Sequence, residues 1–105
     1  MNTTEANKII ADFMGVKVED DCPYTEAMYE GEMTKVYGSP YFSSLDALVP
    51  VWEKLEFLHC QFNWIPDNTF NCTLSLNEEH NANSETIQEA ATIATAKAIR
   101  EIGNG

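Results

Sequence analysis

The chain has 105 residues and a mass of 11.8 kDa, with 17 acids against 6 bases, a net charge of −11 and a pI near 4.3. Its length suits one domain over residues 1–105, and a 44% hydrophobic, 10% aromatic composition is that of a globular chain rather than a disordered one. So acidic a chain repels phosphates, which disfavours direct binding of nucleic acid or of anionic membranes.

The opening residues, MNTTEANKII, hold no apolar run of signal-peptide length, and no window approaches the roughly 18 apolar residues of a membrane span. Cys22, Cys60 and Cys72 are an odd set without CxxC or zinc-type spacing. Three free thiols in a bacterial host cytoplasm are therefore expected. On that expectation the N-x-T sequons at Asn2 and Asn71 are chance matches.

In chain order, the spacing first predicts a helix over 4–14, capped by Thr3 or Thr4, with Ile9, Ile10, Phe13 and Met14 on one stripe and Gly15 closing it. Val16-Lys17-Val18 alternates like a short strand. Residues 19–32 (EDDCPYTEAMYEGE) hold six acids, no base, Pro23 and Gly31, and read as an acidic loop. More than half of the net charge falls in that stretch. Met33–Tyr37 reads as a brief edge strand before the Gly38-Ser39-Pro40 turn.

A capping-box variant at Ser43-Ser44-Leu45-Asp46 opens a second helical region. Pro50 within it kinks the helix or divides it into a turn and a helix starting at Pro50. A hairpin follows. Leu58, Cys60, Phe62 and Trp64 alternate with polar neighbours, as do Phe70, Cys72, Leu74 and Leu76, about a Pro66-Asp67-Asn68 turn. Trp64 opposite Phe70 is an allowed register; it sets Cys60 against Leu74 and leaves the thiols diagonal on the buried face, not joined. Trp52 and Trp64 read as core. A final helix over 85–102, capped by Ser84 and ended by Gly103, carries Ile87, Ala91, Ala94, Ala98 and Ile102 as its stripe; its alanines let it lie close to a sheet. The expected class is α+β: a small, mainly antiparallel sheet packed with helices, in the order α-β-(β)-α-β-β-α.

Two segments then look familiar. Asn7-Lys8-Ile9-Ile10-Ala11-Asp12-Phe13-Met14-Gly15 resembles the opening of small uncharacterised phage and prophage proteins, and Tyr41 to Glu56 (YFSSLDALVPVWEKLE) resembles a second segment of the same proteins. These are similar to the phage α/β/α sandwich domain group. Phe42 stands where that group usually has histidine, and Leu45 and Ala47 replace two tryptophans, so the resemblance implies that any aromatic ligand face is reduced here. It implies an origin and carries no catalytic residues.

No catalytic, cofactor or metal motif is expected. GxSxG, P-loop, dinucleotide and HExxH patterns are absent from the sequence. Glu78-Glu79-His80, in an Asn-rich stretch, reads as solvated, because adjacent residues cannot all aim at one ion. His59 alternates onto the polar strand face. The cysteines lack the electropositive setting of a nucleophile.

The acidic segment is the best candidate site, because Tyr and Met interleaved with acids are typical of contact surfaces. Its candidate partner-binding residues are Glu19, Asp20, Asp21, Tyr24, Glu26, Tyr29, Glu30 and Glu32; the plain alternative is that its apolar groups fold down over the sheet. The leading expectation is a non-enzymatic phage accessory protein that binds a basic, nucleic-acid-handling host protein, as anti-defence inhibitors do. A small-ligand-binding protein with a pocket beside the tyrosines, and a structural homo-oligomer, are the alternatives.

Overall fold

The computed structural model describes residues 1–56, 59–65, 69–75 and 78–104, with the backbone alone described at 59, 103 and 104. Helix α1 (Thr3–Met14) leads into strands β1 (Lys17–Glu19), β2 (Cys22–Tyr29) and β3 (Glu32–Tyr37). Two 3-10 turns, Tyr41–Ser43 and Leu45–Leu48, precede helix α2 (Val49–Leu55). Strands β4 (His59–Ile65), β5 (Thr69–Ser75) and β6 (Glu79–Ser84) follow, and the long helix α3 (Ile87–Asn104) closes the chain. The strands form two separate antiparallel sheets, β1-β2-β3 and β4-β5-β6. The α+β class is as expected; the order, α-β-β-β-α-β-β-β-α, has a three-stranded unit on each side of α2.

Local chemistry explains the helix ends. Asn2, not Thr3 or Thr4, caps α1 by accepting from the Glu5 amide at 2.8 Å, and Gly15 ends it at φ +75°. Pro50 divides the second helical region as expected: its ring sits in the first turn of α2, where a missing amide costs nothing. Thr86 accepts from the Glu89 amide at the start of α3, whereas Ser84 donates to the Glu89 carboxylate at 2.7 Å, so the cap lies two residues later than the sequence suggested. Gly103 continues this helix rather than ending it.

The core is built around α3. Its Ala90, Ala91, Ala94, Ala96 and Ala98 are fully buried, and side chains this small let α1 approach one side and the second sheet another. Ala6, Ile10 and Ala11 come from α1, Leu48, Val51 and Leu55 from the α2 region, and Cys72, Leu74 and Ala82 from the sheet. Each larger side chain buried there contributes about 1.5–3 kcal/mol.

In the second sheet Trp64 opposes Phe70 and Cys60 opposes Leu74, a register that the alternation allows, and the thiols are free. Burial pushes the Cys72 thiol up to about 12 and raises that of Cys60, so both stay protonated. Trp52 packs against the core and donates from Nε1 to Thr95 Oγ1 at 2.9 Å. Trp64 does not join it. It is 72% exposed, because it lies near the end of the edge strand β4, beyond the helical cover of that face. The Pro66-Asp67-Asn68 turn, Leu58, Leu76 and the side chain of His59 lie outside the described residues.

Candidate functional site

Residues 19–32 are not a loop. They supply the end of β1, a tight turn, all of β2 and a second tight turn into β3. Asp20 and Asp21 hold φ of +51° and +63°, and Glu30 and Gly31 hold +50° and +83°. Paired left-handed residues form the two-residue hairpin turn whose twist matches its strands. Pro23 sits second in β2, opposite Val18, near the strand's end where a missing donor disturbs the ladder least. The result is a β-arm. Only its root packs on the body, and the molecule reaches 52 Å along its longest axis with a radius of gyration of 14.6 Å, against about 13 Å for a compact chain of this length.

Every residue of β3 is exposed. Near the arm's tip Met28 is 68%, Tyr29 71% and Met33 60% exposed, with Glu30 and Glu32 between them in sequence. Met28 pairs with Met33 and Tyr29 with Glu32, so the methionines share one face of the arm and Tyr29 and Glu32 the other. The expected folding-down of these side chains over a sheet does not occur at the tip.

The eight candidate residues therefore do not make one patch. Glu19, Asp20 and Asp21 lie at the root; Tyr29, Glu30 and Glu32 lie at the tip; β2 separates them by about 24 Å at roughly 3.4 Å per residue. Glu19 is engaged. Lys35 Nζ donates to its Oε2 at 2.6 Å and the Tyr37 hydroxyl donates to the same oxygen at 2.9 Å. These bonds hold the Glu19 carboxyl below the usual carboxylate range and push the Lys35 and Tyr37 values up. Lys35 also lies 4.9 Å from the centre of the Tyr24 ring, which stacks tilted on Tyr37 at 5.4 Å. Glu26 faces Lys17 at 3.5 Å. Among the described ion pairs, Asp20, Asp21, Glu30 and Glu32 have no cationic partner, so unpaired negative charge stands both at the root, on Asp20 and Asp21, and at the tip, on Glu30 and Glu32.

Asn7 fixes the root. It is fully buried, donates to the Asp21 carbonyl at 2.8 Å and accepts from the Tyr41 amide at 2.9 Å. The amide thus ties α1 to the first turn of the arm and to the chain leaving it. Beside this joint a groove of about 290 Å³ is lined by Val16, Pro23, Tyr24, Val36, Tyr37 and Tyr41, among others.

Two further surfaces stand out. The open face of the second sheet carries an amide ladder in which Asn63 donates to Asn71 at 3.4 Å and Asn71 donates to Asn83 at 2.8 Å. His80 is not solvated as its sequence neighbours suggested: it opposes Leu74, so it turns toward α3 and faces Glu101 at 3.3 Å. Sequence reading missed Lys35, Tyr37 and Glu101 because each acts on a residue more than fifteen positions away. The available signal was the Glu30-Gly31 pair, a hairpin turn sequence, between segments rich in Tyr, Thr, Val and Met.

No protein family matches the sequence, and no curated protein is significantly similar to it. The fold is similar to that of a phage protein from Bacillus cereus ATCC 14579 known from a 2.0 Å crystal structure, with a TM-score of 0.66 and 17% identity over 95% of this chain and 89% of that one. At that identity the likeness shows a shared fold. Among the described residues no helix is long and apolar enough to cross a membrane.

Proposed function

We propose that this chain is a phage-type, non-catalytic binding protein that engages a basic, nucleic-acid-handling host protein in the bacterial cytoplasm through the tip of its β-arm. One observation carries the reading: Met28, Tyr29 and Met33 stand largely exposed around Glu30 and Glu32 on an arm that extends from the body. Exposed large apolar groups on a small protein mark contact surfaces, and the adjoining carboxylates select a cationic partner and speed encounter. The shared fold with a phage protein supports the phage connection. The test is capture from bacterial lysate at low and high salt, using the wild-type chain, Glu30→Lys/Glu32→Lys and Met28→Ser/Met33→Ser. A nucleic-acid-binding protein should be held by the wild type at low salt, released by high salt and by duplex DNA, and lost in both variants. Equal capture by all three chains overturns the reading.

A second reading rests on the groove beside Tyr24, Tyr37 and Tyr41, whose three rings and two valines suit a small, flat, largely apolar ligand. A thermal-shift screen of such ligands should then give hits that Tyr24→Ala abolishes; a screen without hits removes it.

A further inference from the structure

We propose that Glu78, His80 and Glu101 form a binding site for one first-row divalent transition ion, with Zn²⁺ the best fit to its donors. The argument begins with register. His80 sits directly opposite Leu74, whose side chain is fully buried, and directly opposed residues share a sheet face. His80 therefore points into the helical layer, and α3 brings Glu101 to meet it.

The Glu101 carboxylate is fixed. Its Oε1 accepts from the Glu78 amide at 2.9 Å, which leaves Oε2 aimed at His80 Nε2, 3.3 Å away. Both atoms are shielded from solvent, and among the described residues neither has a hydrogen-bond partner. The distance would admit an ion pair, but the geometry is not that of a hydrogen bond. Two buried polar atoms that face each other without such a bond cost free energy unless something satisfies both.

A metal ion would. Zinc bonds to imidazole nitrogen and carboxylate oxygen are about 2.0–2.2 Å long, which sets two ligand atoms of a tetrahedron roughly 3.4 Å apart. The observed 3.3 Å separation matches that edge. The third donor is on the surface: one ligand atom from each of Glu78, His80 and Glu101 lies within 4.8 Å of the others, and Glu78 is exposed. One imidazole with two carboxylates suits zinc and its neighbours better than calcium or magnesium, which favour all-oxygen sets. Because Glu78 is exposed, water can reach the cluster from its side and complete the coordination. The Glu78 amide already supplies the outer hydrogen bond that orients a ligating carboxylate. Such an ion would staple the start of β6 to the last turns of α3.

The experiment titrates the purified full-length chain, stripped with chelator, with Zn²⁺ by calorimetry and with Co²⁺ by visible absorption. One ion per chain is expected, with cobalt d–d bands and no thiolate charge-transfer band. His80→Asn and Glu101→Gln should each weaken binding at least ~10-fold, and Glu78→Gln, a surface change that cannot unfold the chain, should weaken it several-fold. Circular dichroism of each metal-free variant confirms that it is folded. Absence of saturable Zn²⁺ binding leaves His80 and Glu101 as a plain ion pair and overturns the proposal. A thiolate band, or affinity unchanged in Glu78→Gln and His80→Asn, also overturns it by placing the ion elsewhere.

Discussion

The two sheets of this molecule are built alike and used oppositely. Each has three antiparallel strands in sequence order, yet β4-β5-β6 lays one face on α3 while the outer part of β2-β3 has water on both faces. The difference lies in what the side chains alternate with. Along β5, Cys72 and Leu74 are fully buried, and Asn71, Thr73 and Ser75 turn the other way. Along β2, Tyr24, Glu26 and Met28 share one face and Thr25, Ala27 and Tyr29 the other, so each face mixes apolar and polar groups. A sheet with a committed face belongs to the core. One with two mixed faces is held by its ladder and turns, and is free to meet a partner.

The sharpest test removes a large side chain from each sheet. Leu74→Ala takes a fully buried residue from between β5 and α3 and should cost about 2–5 kcal/mol in urea denaturation. Met28→Ser/Met33→Ser, on the arm, should change stability by no more than about 0.5 kcal/mol per site. Similar losses from both would mean that the arm folds onto the body in solution, and the division into core sheet and contact arm would fail.

The same contrast decides what was legible. The β4-β5 hairpin could be read to its faces, and the observed register is one that reading allowed, because one-sided burial writes a period of two into the residues and decides which of them share the buried side. The alanine face of α3 was legible for the same reason at a period of 3.6. The arm was not, since a strand covered on neither face needs no alternation, and six acids with Pro23 and Gly31 resemble a solvated loop. Its identity lay in turn chemistry instead, in Asp20-Asp21 and Glu30-Gly31. The candidate residues all fall on the arm, but their division between root and tip needed the strand between them to be seen. Trp64 marks the converse limit: its face was correct, and how far the helices extend over that face is a tertiary matter. His80 belonged to a run of polar residues, and only its partner on α3 shows that it turns inward.

A smaller effect is expected where the two regions join. Asn7→Ala removes the buried amide that donates to the Asp21 carbonyl and accepts from the Tyr41 amide, leaving two backbone groups without that partner. A loss of about 1–3 kcal/mol follows from the unsatisfied groups. Its signature is local: the amide resonances of Asp21, Cys22 and Tyr41 should shift or broaden, while those of β5 stay in place. Changes spread evenly over both sheets would show that Asn7 supports the core generally and does not set the arm's root.

The smallest effect concerns the clasp of Glu19, Lys35 and Tyr37, which binds the arm's outer strands to each other rather than to the body. Hydrogen bonds from Lys35 and then Tyr37 hold the folded Glu19 value below its ordinary 4.5, so its contribution is complete above about pH 4.5 and is lost as pH falls through the lower folded value. The Lys35 value is raised above 10.5, chiefly by its bond to Glu19, so that contribution is complete below about pH 10.5 and is lost as pH rises through the raised value. The Tyr37 value is likewise raised above its ordinary 10.0, chiefly by its bond to Glu19, so the clasp is at full strength between about pH 4.5 and 10.0 and weakens outside that range. All three groups are at the surface, where salt screens the pair, and no change in global melting is expected from it. The stacked Tyr24 and Tyr37 rings report on it directly. Their proton shifts should move with an acid titration in the wild type, and Glu19→Gln should remove that movement. If the titration curves of the two proteins coincide, the arm keeps its shape through its ladder and turns alone.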